Sequence, residues 1–430
     1  MRIFFFLFLL VFGQPVFAQI NSSTKVLYPF EGTYDFGNNH KITLGIFDEI
    51  NKSLVYLDLK SLDLGILIPI DKNRFKDSRD STRIFSFQQD NEKVSSLTLI
   101  AGSQKIIAKK INGHLRKEVS FTNHQTLLKG DLYLPTTKGK HPIVVFAHGS
   151  GPSTRGVGFF TTYFLQLGIG VLTFDKRGAG ESTGDWETAN FELLAQDIIS
   201  GINFLKTQPN VDSKKIGLMG NSQGGWIGTM VAAKTNDLAY LLMRVGAGES
   251  VLETISHEYR GTLLADGFKE DEVNEMIEMY RKHWLAASEG KTWSEGNEIL
   301  NGYQSKPWFK KLYPEKRTET ESSIKWWRWL KENLNYDSYA YLKTIKTPIL
   351  WLMGEKDWNV NSQKSYPKVK EALALAGNKD YTVAIIPKMG HTGMVVSNGY
   401  YNEPLSWKYA EGFWNAVKDW LLERKIPEAK

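Results

Sequence analysis

Residues Lys215 to Gly224 read KIGLMGNSQG. The first half of this stretch has the apolar character of a buried strand, and residues 224–234 are predicted to form a helix. Between them lies Gly-x-Ser-x-Gly, a short motif that becomes informative at a strand-to-helix junction. Side chains two residues to either side of Ser222 would collide with the tight turn, so glycine is needed there. The sequence therefore predicts a serine hydroxyl exposed at the carboxyl end of a sheet, beside the free N–H groups of a helix start.

Apolar runs alternate with helical segments on both sides of this stretch. Pro142–Ala147 and Ile169–Phe174 precede it, while Pro348–Met353 and Tyr381–Ile386 follow it. Buried strands that alternate with helices indicate an α/β fold with a mostly parallel sheet and helices on both faces. The alternation stops at about 248–340, a polar, helical and tryptophan-rich segment that is predicted to be an insertion between two strands.

The N-terminal part has a different pattern. From about Tyr28 to Ile111, short alternating runs are separated by turn-forming residues, which predicts a small antiparallel sheet, sandwich or barrel. The predicted organisation is therefore a signal peptide at 1–18, a β-rich N-terminal domain at 19–114 and an α/β domain at 115–430.

The first 18 residues have the features of a secretory signal peptide. Arg2 is followed by an unbroken apolar run from Ile3 to Phe12, and small residues precede a cleavage site after Ala18. The run is shorter than the ~20 residues of a transmembrane helix, so stable membrane insertion is not expected, although an uncleaved anchor is the alternative. A periplasmic or extracellular location is predicted after cleavage.

Composition excludes several classes of function. The 430 residues contain no cysteine, which excludes disulfides, a thiol nucleophile and thiolate metal sites. The net charge of +6 is spread along the chain without a lysine or arginine block, so a nucleic-acid partner is not expected. No zinc or nucleotide motif is present, and no metal or cofactor is predicted.

From about Lys117 to its C-terminus, the chain resembles the α/β-hydrolases. It resembles secreted bacterial esterases with a β-rich N-terminal domain, and more distantly the serine aminopeptidases of the same fold. In this family the catalytic residues follow the order Ser, acid, His along the chain. The resemblance implies that residues 248–340 form a helical cap over the active site.

A serine hydroxyl needs a base, and the base needs a carboxylate to orient it. His391 lies in a glycine-flanked loop after the last predicted strand, where the family keeps its base. Asp357 follows Gly354 by three positions and is followed soon after by Val360, which matches the family pattern for the acid. Glu355 is the near rival for this role and Glu249 the distant one.

Hydrolysis of an ester creates an oxyanion that two N–H donors should stabilise. One donor is expected from the backbone of Gln223, directly after the nucleophile. The other is expected from Ser150 or Gly151, because their loop follows a buried strand as the family's oxyanion loop does.

The expected function is hydrolysis of a small-molecule carboxylic ester through an acyl-enzyme intermediate. A peptidase, aminopeptidase or amidase with the same triad is the first alternative, and it would need a carboxylate such as Glu249 or Glu253 to hold a substrate ammonium group. A non-catalytic binding protein on a hydrolase scaffold is the second alternative. Six tryptophans of the insertion could line an apolar pocket or simply pack the cap: Trp284, Trp293, Trp308, Trp326, Trp327 and Trp329.

Overall fold

The computed structural model describes residues 24–48, 52–91, 93–111, 113–315, 317–400 and 406–427. The signal peptide predicted at residues 1–18 lies outside them. The described residues form two β-sheets, one from the N-terminal part of the chain and one from the part that contains Ser222. Within these ranges, no helix combines the length and the apolar character needed to cross a bilayer.

The N-terminal sheet is a closed barrel of eight antiparallel strands, preceded by a 3-10 helix at Thr24–Phe30. The strands are β1 (Gly32–Asp35), β2 (Lys41–Phe47), β3 (Ser53–Asp58), β4 (Leu64–Pro69), β5 (Arg74–Asp77), β6 (Arg83–Asp90), β7 (Lys93–Ala101) and β8 (Gln104–Ile111). β1 pairs with both β2 and β8, which closes the barrel around the buried rings of Tyr34, Phe85 and Phe87. The predicted β-rich region is confirmed, and of the three arrangements considered it is a barrel.

The second sheet has eight strands in the order β16-β15-β14-β13-β11-β12-β10-β9. They are β9 (His114–Asn123), β10 (Thr126–Pro135), β11 (His141–Ala147), β12 (Gly170–Phe174), β13 (Val211–Asn221), β14 (Tyr240–Arg244), β15 (Ile349–Gly354) and β16 (Tyr381–Ile386). β9 and β10 form an antiparallel hairpin that joins β12, and the remaining neighbours are parallel. The predicted mostly parallel α/β sheet is confirmed.

Helices cover both faces of this sheet. They are α1 (Phe159–Gln166), α2 (Phe191–Lys206), α3 (Gln223–Lys234), α4 (Val251–Ala265), α5 (Glu270–Ser288), α6 (Trp293–Asn301), α7 (Phe309–Leu312), α8 (Glu321–Asn333), α9 (Ser338–Leu342), α10 (Ser362–Leu375) and α11 (Phe413–Glu423). Buried side chains of α2 and α3 pack on one face, and those of α1 and α11 pack on the other. The helical insertion consists of α4–α9, which lie between β14 and β15.

The barrel packs on the face of the sheet that α1 and α11 cover. Four side chains of β3 and β4 belong to the same buried apolar cluster as this face: Val55, Leu57, Leu64 and Ile66. At the same contact, Oγ1 of Thr43 on β2 donates a hydrogen bond to Oγ1 of Thr162 on α1 at 2.6 Å. The barrel and the α/β domain therefore share a buried apolar interface, while the interior of the barrel forms a core of its own.

Candidate active site

Ser222 lies between the last residue of β13 and the first residue of α3, as the motif predicts. Its backbone angles are φ 55° and ψ −118°, a conformation that residues with a side chain rarely adopt. A Cβ on Gly220 would lie 2.4 Å from the carbonyl oxygen of Gly224, and a Cβ on Gly224 would lie 2.1 Å from that of Ala147. Close backbone contacts therefore require both glycines, and the resulting turn places the serine at the carboxyl edge of the sheet.

One continuous chain of hydrogen bonds joins Ser222, His391 and Asp357. Nε2 of His391 lies 2.9 Å from Oγ of Ser222, and Nδ1 lies 2.9 Å from each carboxylate oxygen of Asp357. Because a carboxylate can only accept, the arrangement assigns the ring proton to Nδ1 and leaves Nε2 to accept from the serine hydroxyl. The side chain of Asp357 is fully buried and that of His391 is 10% exposed, so water competes little for these bonds.

Backbone donors hold the Asp357 carboxylate in place after β15. Its Oδ1 accepts hydrogen bonds from the N–H groups of Asn359 and Val360, each at 2.9 Å. The carboxylate is therefore fixed by its own turn and then orients the imidazole, which is the geometry that a general base requires.

Within the described residues, neither rival carboxylate bonds to His391. Glu355 turns the other way, and its Oε2 accepts a hydrogen bond from the N–H of Lys388 at 2.8 Å. Glu249 is buried directly before α4, where burial raises the pKa of its carboxyl. The structure therefore brings Asp357 to the imidazole, and not Glu355 or Glu249.

The buried guanidinium of Arg244, at the end of β14, ties the loop of His391 to the turn of Ser222. Nε donates to the hydroxyl of Tyr409 at 2.9 Å, Nη1 donates to Oδ1 of Asn221, and Nη2 donates to the carbonyl of His391 at 3.4 Å. Sequence reasoning missed Arg244, since Tyr409 and His391 lie 165 and 147 positions away and no local pattern marks such contacts.

Two of the three residues predicted to stabilise an oxyanion, Ser150 and Gln223, lie beside Ser222. Gln223 is the first residue of α3, and Ser150 and Gly151 belong to residues 148–158, the segment between β11 and α1 that we call the oxyanion loop. In the described part of the chain, the backbone N–H groups of these three residues donate no hydrogen bond to another protein group. Ser150 and Gln223 line the same cavity as Ser222. These N–H groups are therefore available to a negatively charged oxygen.

Two side chains, Lys176 beside this loop and His148 at its start, have structural contacts. Nζ of Lys176 donates to the carbonyl of Gly151 at 3.0 Å and to that of Gly149. Nε2 of His148 lies 2.7 Å from the carbonyl oxygen of Phe174 on β12. Burial lowers the pKa of His148 to about 4, so its ring is neutral and donates to the strand, as expected for a structural histidine.

A small cavity opens beside the Ser222 hydroxyl. The space open to the centres of water molecules is about 40 Å³, and the walls include Ser150, Trp226, Thr254, Ile255, Glu258 and Trp329. Among the six tryptophans singled out in the insertion, Trp329 reaches this cavity, whereas Trp284, Trp308 and Trp327 are buried in the core. Within the described residues, no cluster of three or more His, Asp or Glu side chains is suited to a metal ion.

Glu258 is an ionisable residue of this cavity that sequence reasoning missed. It lies on α4, one helical turn after Thr254 and Ile255, and is 8% exposed. Burial raises the pKa of its carboxyl to about 8, and the nearby charge of Asp357 adds to the shift. The Asn359 side chain hydrogen-bonds to Glu258, yet the Oδ1 atom of Asn359 is buried and accepts no hydrogen bond from the described residues.

Known proteins resemble the part of the chain that contains these residues. A family model described as X-Pro dipeptidyl-peptidase (S15 family) matches residues 124–393, which is more than half of the chain. An uncharacterized 31.7 kDa protein of Escherichia coli is 27% identical over 254 residues, covering 57% of this chain and 82% of that protein.

Two further relatives have names that state an activity. Thiohydrolase aneE of Aspergillus aculeatus is 29% identical over 236 residues, covering 49% of this chain and 70% of that protein. The bifunctional esterase/perhydrolase DCH of Acinetobacter calcoaceticus is 22% identical over 253 residues, covering 55% of this chain and 83% of that protein. The family match begins at residue 124, after the barrel, whose last strand ends at Ile111.

Proposed function

Because the chain belongs to the X-Pro dipeptidyl-peptidase (S15) family and is a hydrolase of the α/β-hydrolase fold, we propose that it is a serine hydrolase of carboxylic esters. In this proposal Ser222 is the nucleophile, His391 is the general base and Asp357 orients the imidazole. The observation that carries it is the chain of 2.9 Å contacts from the Asp357 carboxylate through the imidazole to the serine hydroxyl.

The first half of the proposed reaction transfers the acyl group to the protein. Oγ of Ser222 bonds to the carbonyl carbon of the ester while its proton moves to Nε2 of His391. The carbonyl electron pair moves onto the oxygen, where the N–H of Gln223 and that of Ser150 or Gly151 stabilise the charge. When the pair returns, the carbon–oxygen bond to the alcohol breaks, and the alcohol leaves with the proton held by His391.

The second half returns the free enzyme. Nε2 of His391 takes a proton from water while the water oxygen bonds to the acyl carbon. Collapse of this second tetrahedral intermediate releases the carboxylic acid, and His391 gives its proton back to Ser222. Asp357 stabilises the imidazolium in both halves without taking the proton.

One observation supports ester hydrolysis and another supports a short acyl group. The relatives aneE and DCH are named a thiohydrolase and an esterase/perhydrolase, which favours an ester substrate. The cavity beside Ser222 has about 40 Å³ of room for water centres, far below the several hundred Å³ of a typical drug-sized ligand site. A long acyl chain would require the cap to move.

A fluorophosphonate probe and a series of p-nitrophenyl esters test this proposal. The wild-type protein should be labelled on Ser222 and should hydrolyse acetate and propionate esters faster than octanoate. Ser222→Ala should show neither labelling nor hydrolysis. A folded wild-type protein that does neither would favour the binding-protein alternative.

One observation favours a second candidate, a peptidase or amidase that acts on substrates with a free amino group. Two hydrogen-bond acceptors, the carboxyl of Glu258 and Oδ1 of Asn359, are buried beside Ser222 without a lysine or arginine partner among the described residues. An ammonium group would satisfy both, and the rings of Trp226 and Trp329 on the same cavity are suited to a cation.

Glu258 takes the place of the two glutamates that the sequence suggests for holding an ammonium group. Glu253 pairs with Arg281 at 2.8 Å, and neither Glu253 nor Glu249 is among the described residues that line the cavity.

Alanine p-nitroanilide and its N-acetyl derivative distinguish the two candidates. An amino-group site predicts that the wild-type protein prefers the free amine by about tenfold or more, and that Glu258→Gln loses this preference. Glu253→Gln is the matched control in the cap and should keep it. Equal rates on both compounds would reject amino-group recognition and leave the ester activity as the function.

We also propose that the protein is exported, on the strength of the N-terminal pattern alone. N-terminal sequencing of the protein from an expressing bacterial culture should give a chain that begins at Gln19. A full-length chain that is retained in the cytoplasm would contradict this proposal.

A further inference from the structure

The barrel contacts the oxyanion loop directly. Near the end of the loop, the N–H of Gly158 donates to the carbonyl of Ile46 at 2.8 Å, and Val157 forms an isolated antiparallel bridge with Phe47. The last part of the oxyanion loop is therefore joined to the end of β2 by backbone contacts.

Asp48, the residue after β2, holds the middle of the loop. Its Oδ2 accepts hydrogen bonds from Oγ1 of Thr154 and from the N–H of Gly156, each at 3.0 Å. Its own N–H donates to the carbonyl of Gly156 at 3.1 Å. The carboxyl is largely removed from water, and burial raises its pKa. One barrel residue thus makes three hydrogen bonds to a segment more than 100 positions later in the chain.

Two glycines make this close contact sterically feasible. A Cβ on Gly156 would lie 2.4 Å from the carboxyl carbon of Asp48, and a Cβ on Gly45 of β2 would lie 2.2 Å from the carbonyl oxygen of Gly158. A Cβ on Gly45 would push the backbones of the barrel and the loop apart, and a Cβ on Gly156 would displace the Asp48 carboxyl. The sequence is therefore fitted to this contact on both of its sides.

The opposite side of the loop is attached to the sheet. Arg155 donates to Oδ1 of Asp175 from its backbone N–H at 2.9 Å and from Nε at 3.1 Å. Nζ of Lys176 donates to the carbonyl of Gly151 at 3.0 Å. Hydrogen bonds from the barrel therefore hold one side of the oxyanion loop, and hydrogen bonds with residues after β12 hold the other.

We propose that the barrel is part of the catalytic machinery, with Asp48 as a positioning residue that fixes the oxyanion loop and the N–H donor of Ser150 or Gly151. The inference rests on the proposed serine-hydrolase function. An oxyanion donor works only at its correct distance, and the loss of one donor typically lowers kcat by about 10²–10³-fold. Release of the loop on its barrel side removes part of this stabilisation. The family match excludes the barrel and so assigns it no role.

Substitution of Asp48 tests the proposal through kcat and KM for p-nitrophenyl acetate. Asp48→Ala leaves Thr154 and Gly156 without their acceptor, and kcat should fall about 10–100-fold while KM changes less than about threefold. Asp48→Asn should restore most of the activity, because an amide oxygen can take the place of Oδ2. Rescue by the amide separates positioning from a general loss of packing.

Asp80→Ala is the matched control on the barrel. The Asp80 carboxylate also accepts one N–H and one hydroxyl hydrogen bond, both from Thr82, and it makes no contact with the oxyanion loop among the described residues. The kcat of Asp80→Ala should equal that of the wild-type protein. An equal loss in both alanine variants would overturn the proposal, as would an unchanged kcat in folded Asp48→Ala.

Thr154→Val keeps the proposal testable if Asp48→Ala does not fold. It removes one of the two donors from the loop side, and kcat should fall about 3–10-fold at a similar KM. An unchanged kcat in this variant would overturn the positioning role. Wild-type turnover in the same assay tests the serine-hydrolase function separately, and an inactive wild-type protein would remove the basis of the inference.

Discussion

Both carboxylate oxygens of Asp357 lie 2.9 Å from Nδ1 of His391. The same carboxylate accepts two backbone N–H groups of its own turn, so its position does not depend on the histidine. A fixed acceptor on Nδ1 selects the imidazole tautomer whose Nε2 faces Ser222 as an acceptor.

Asp357→Asn should therefore lower kcat by about 10⁴-fold with little change in KM, because an amide NH₂ would favour the opposite tautomer. Steady-state kinetics with p-nitrophenyl acetate measures this, and Glu355→Gln two residues away is the control. A nearly normal Asp357→Asn together with an inactive Glu355→Gln would assign the acid to Glu355.

Arg244→Met should lower kcat by about 10–100-fold, because the loop of His391 and the turn of Ser222 lose their shared anchor. A misplacement of about 1 Å in a catalytic group can cost about 10²-fold in rate. Tyr409→Phe removes only one of the hydrogen bonds of Arg244 and should stay within about threefold of wild type. The anchor role would be refuted by a folded Arg244→Met variant with wild-type kcat.

Glu31 makes stability depend on pH at the junction of the barrel and the sheet. Glu31 is 2% exposed, and its Oε2 lies 3.0 Å from Nη1 of Arg116. Burial outweighs the attraction of the Arg116 charge and raises the pKa of the Glu31 carboxyl from 4.5 to about 7. The folded state thus binds the proton more tightly than the unfolded state does. The free energy of unfolding should fall as pH rises from about 4.5 to about 7, by roughly 3 kcal/mol from this group.

Urea unfolding at pH 5 and pH 8 checks this contribution. Glu31→Gln cannot ionise and keeps a hydrogen-bonding group beside Arg116, so its stability should fall less than that of wild type between the two values. Identical decreases for the two proteins would show that Glu31 ionises normally in the folded state.

Glu258 predicts a pH dependence of substrate preference. Its raised pKa of about 8 means that the carboxyl is mostly neutral at pH 7 and ionises above pH 8. A p-nitrophenyl ester whose acyl group carries a trimethylammonium should gain in kcat/KM, relative to an uncharged ester of the same shape, as pH rises through 8. The ratio should stay flat in Glu258→Gln, and a flat ratio in wild type would exclude Glu258 from cation recognition.

Local patterns in the sequence were sufficient to predict the fold class and the turn around Ser222. Apolar runs of strand length that alternate with helical segments predict the parallel sheet. A continuous apolar run is typical of a strand that helices cover on both faces. The glycines around Ser222 are explained by contacts within a few residues and with β11. Both the α/β sheet and the β-rich N-terminal region are confirmed.

The contacts that the sequence did not predict are formed between distant elements. Asp48 lies 106 positions from Thr154, and nothing near either residue marks the pair. A glutamate on a polar helix such as α4 normally faces solvent, so only the packing of α4 over Ser222 shows that Glu258 is buried. Closure of the barrel likewise depends on the pairing of β1 with β8, which strand alternation leaves open.

Direct detection of the acyl-enzyme tests whether Ser222 is the nucleophile. The protein is mixed with p-nitrophenyl acetate, quenched in acid within the first turnover and digested, and the peptides are examined by mass spectrometry. We expect an acetyl group on Ser222 of the wild-type protein and none in Ser222→Ala. His391→Ala should be acylated only on prolonged incubation, and because it also deacylates slowly, the acetyl group should accumulate in this variant. Ester turnover with no acyl group on Ser222, or undiminished turnover by Ser222→Ala, would show that Ser222 is not the nucleophile.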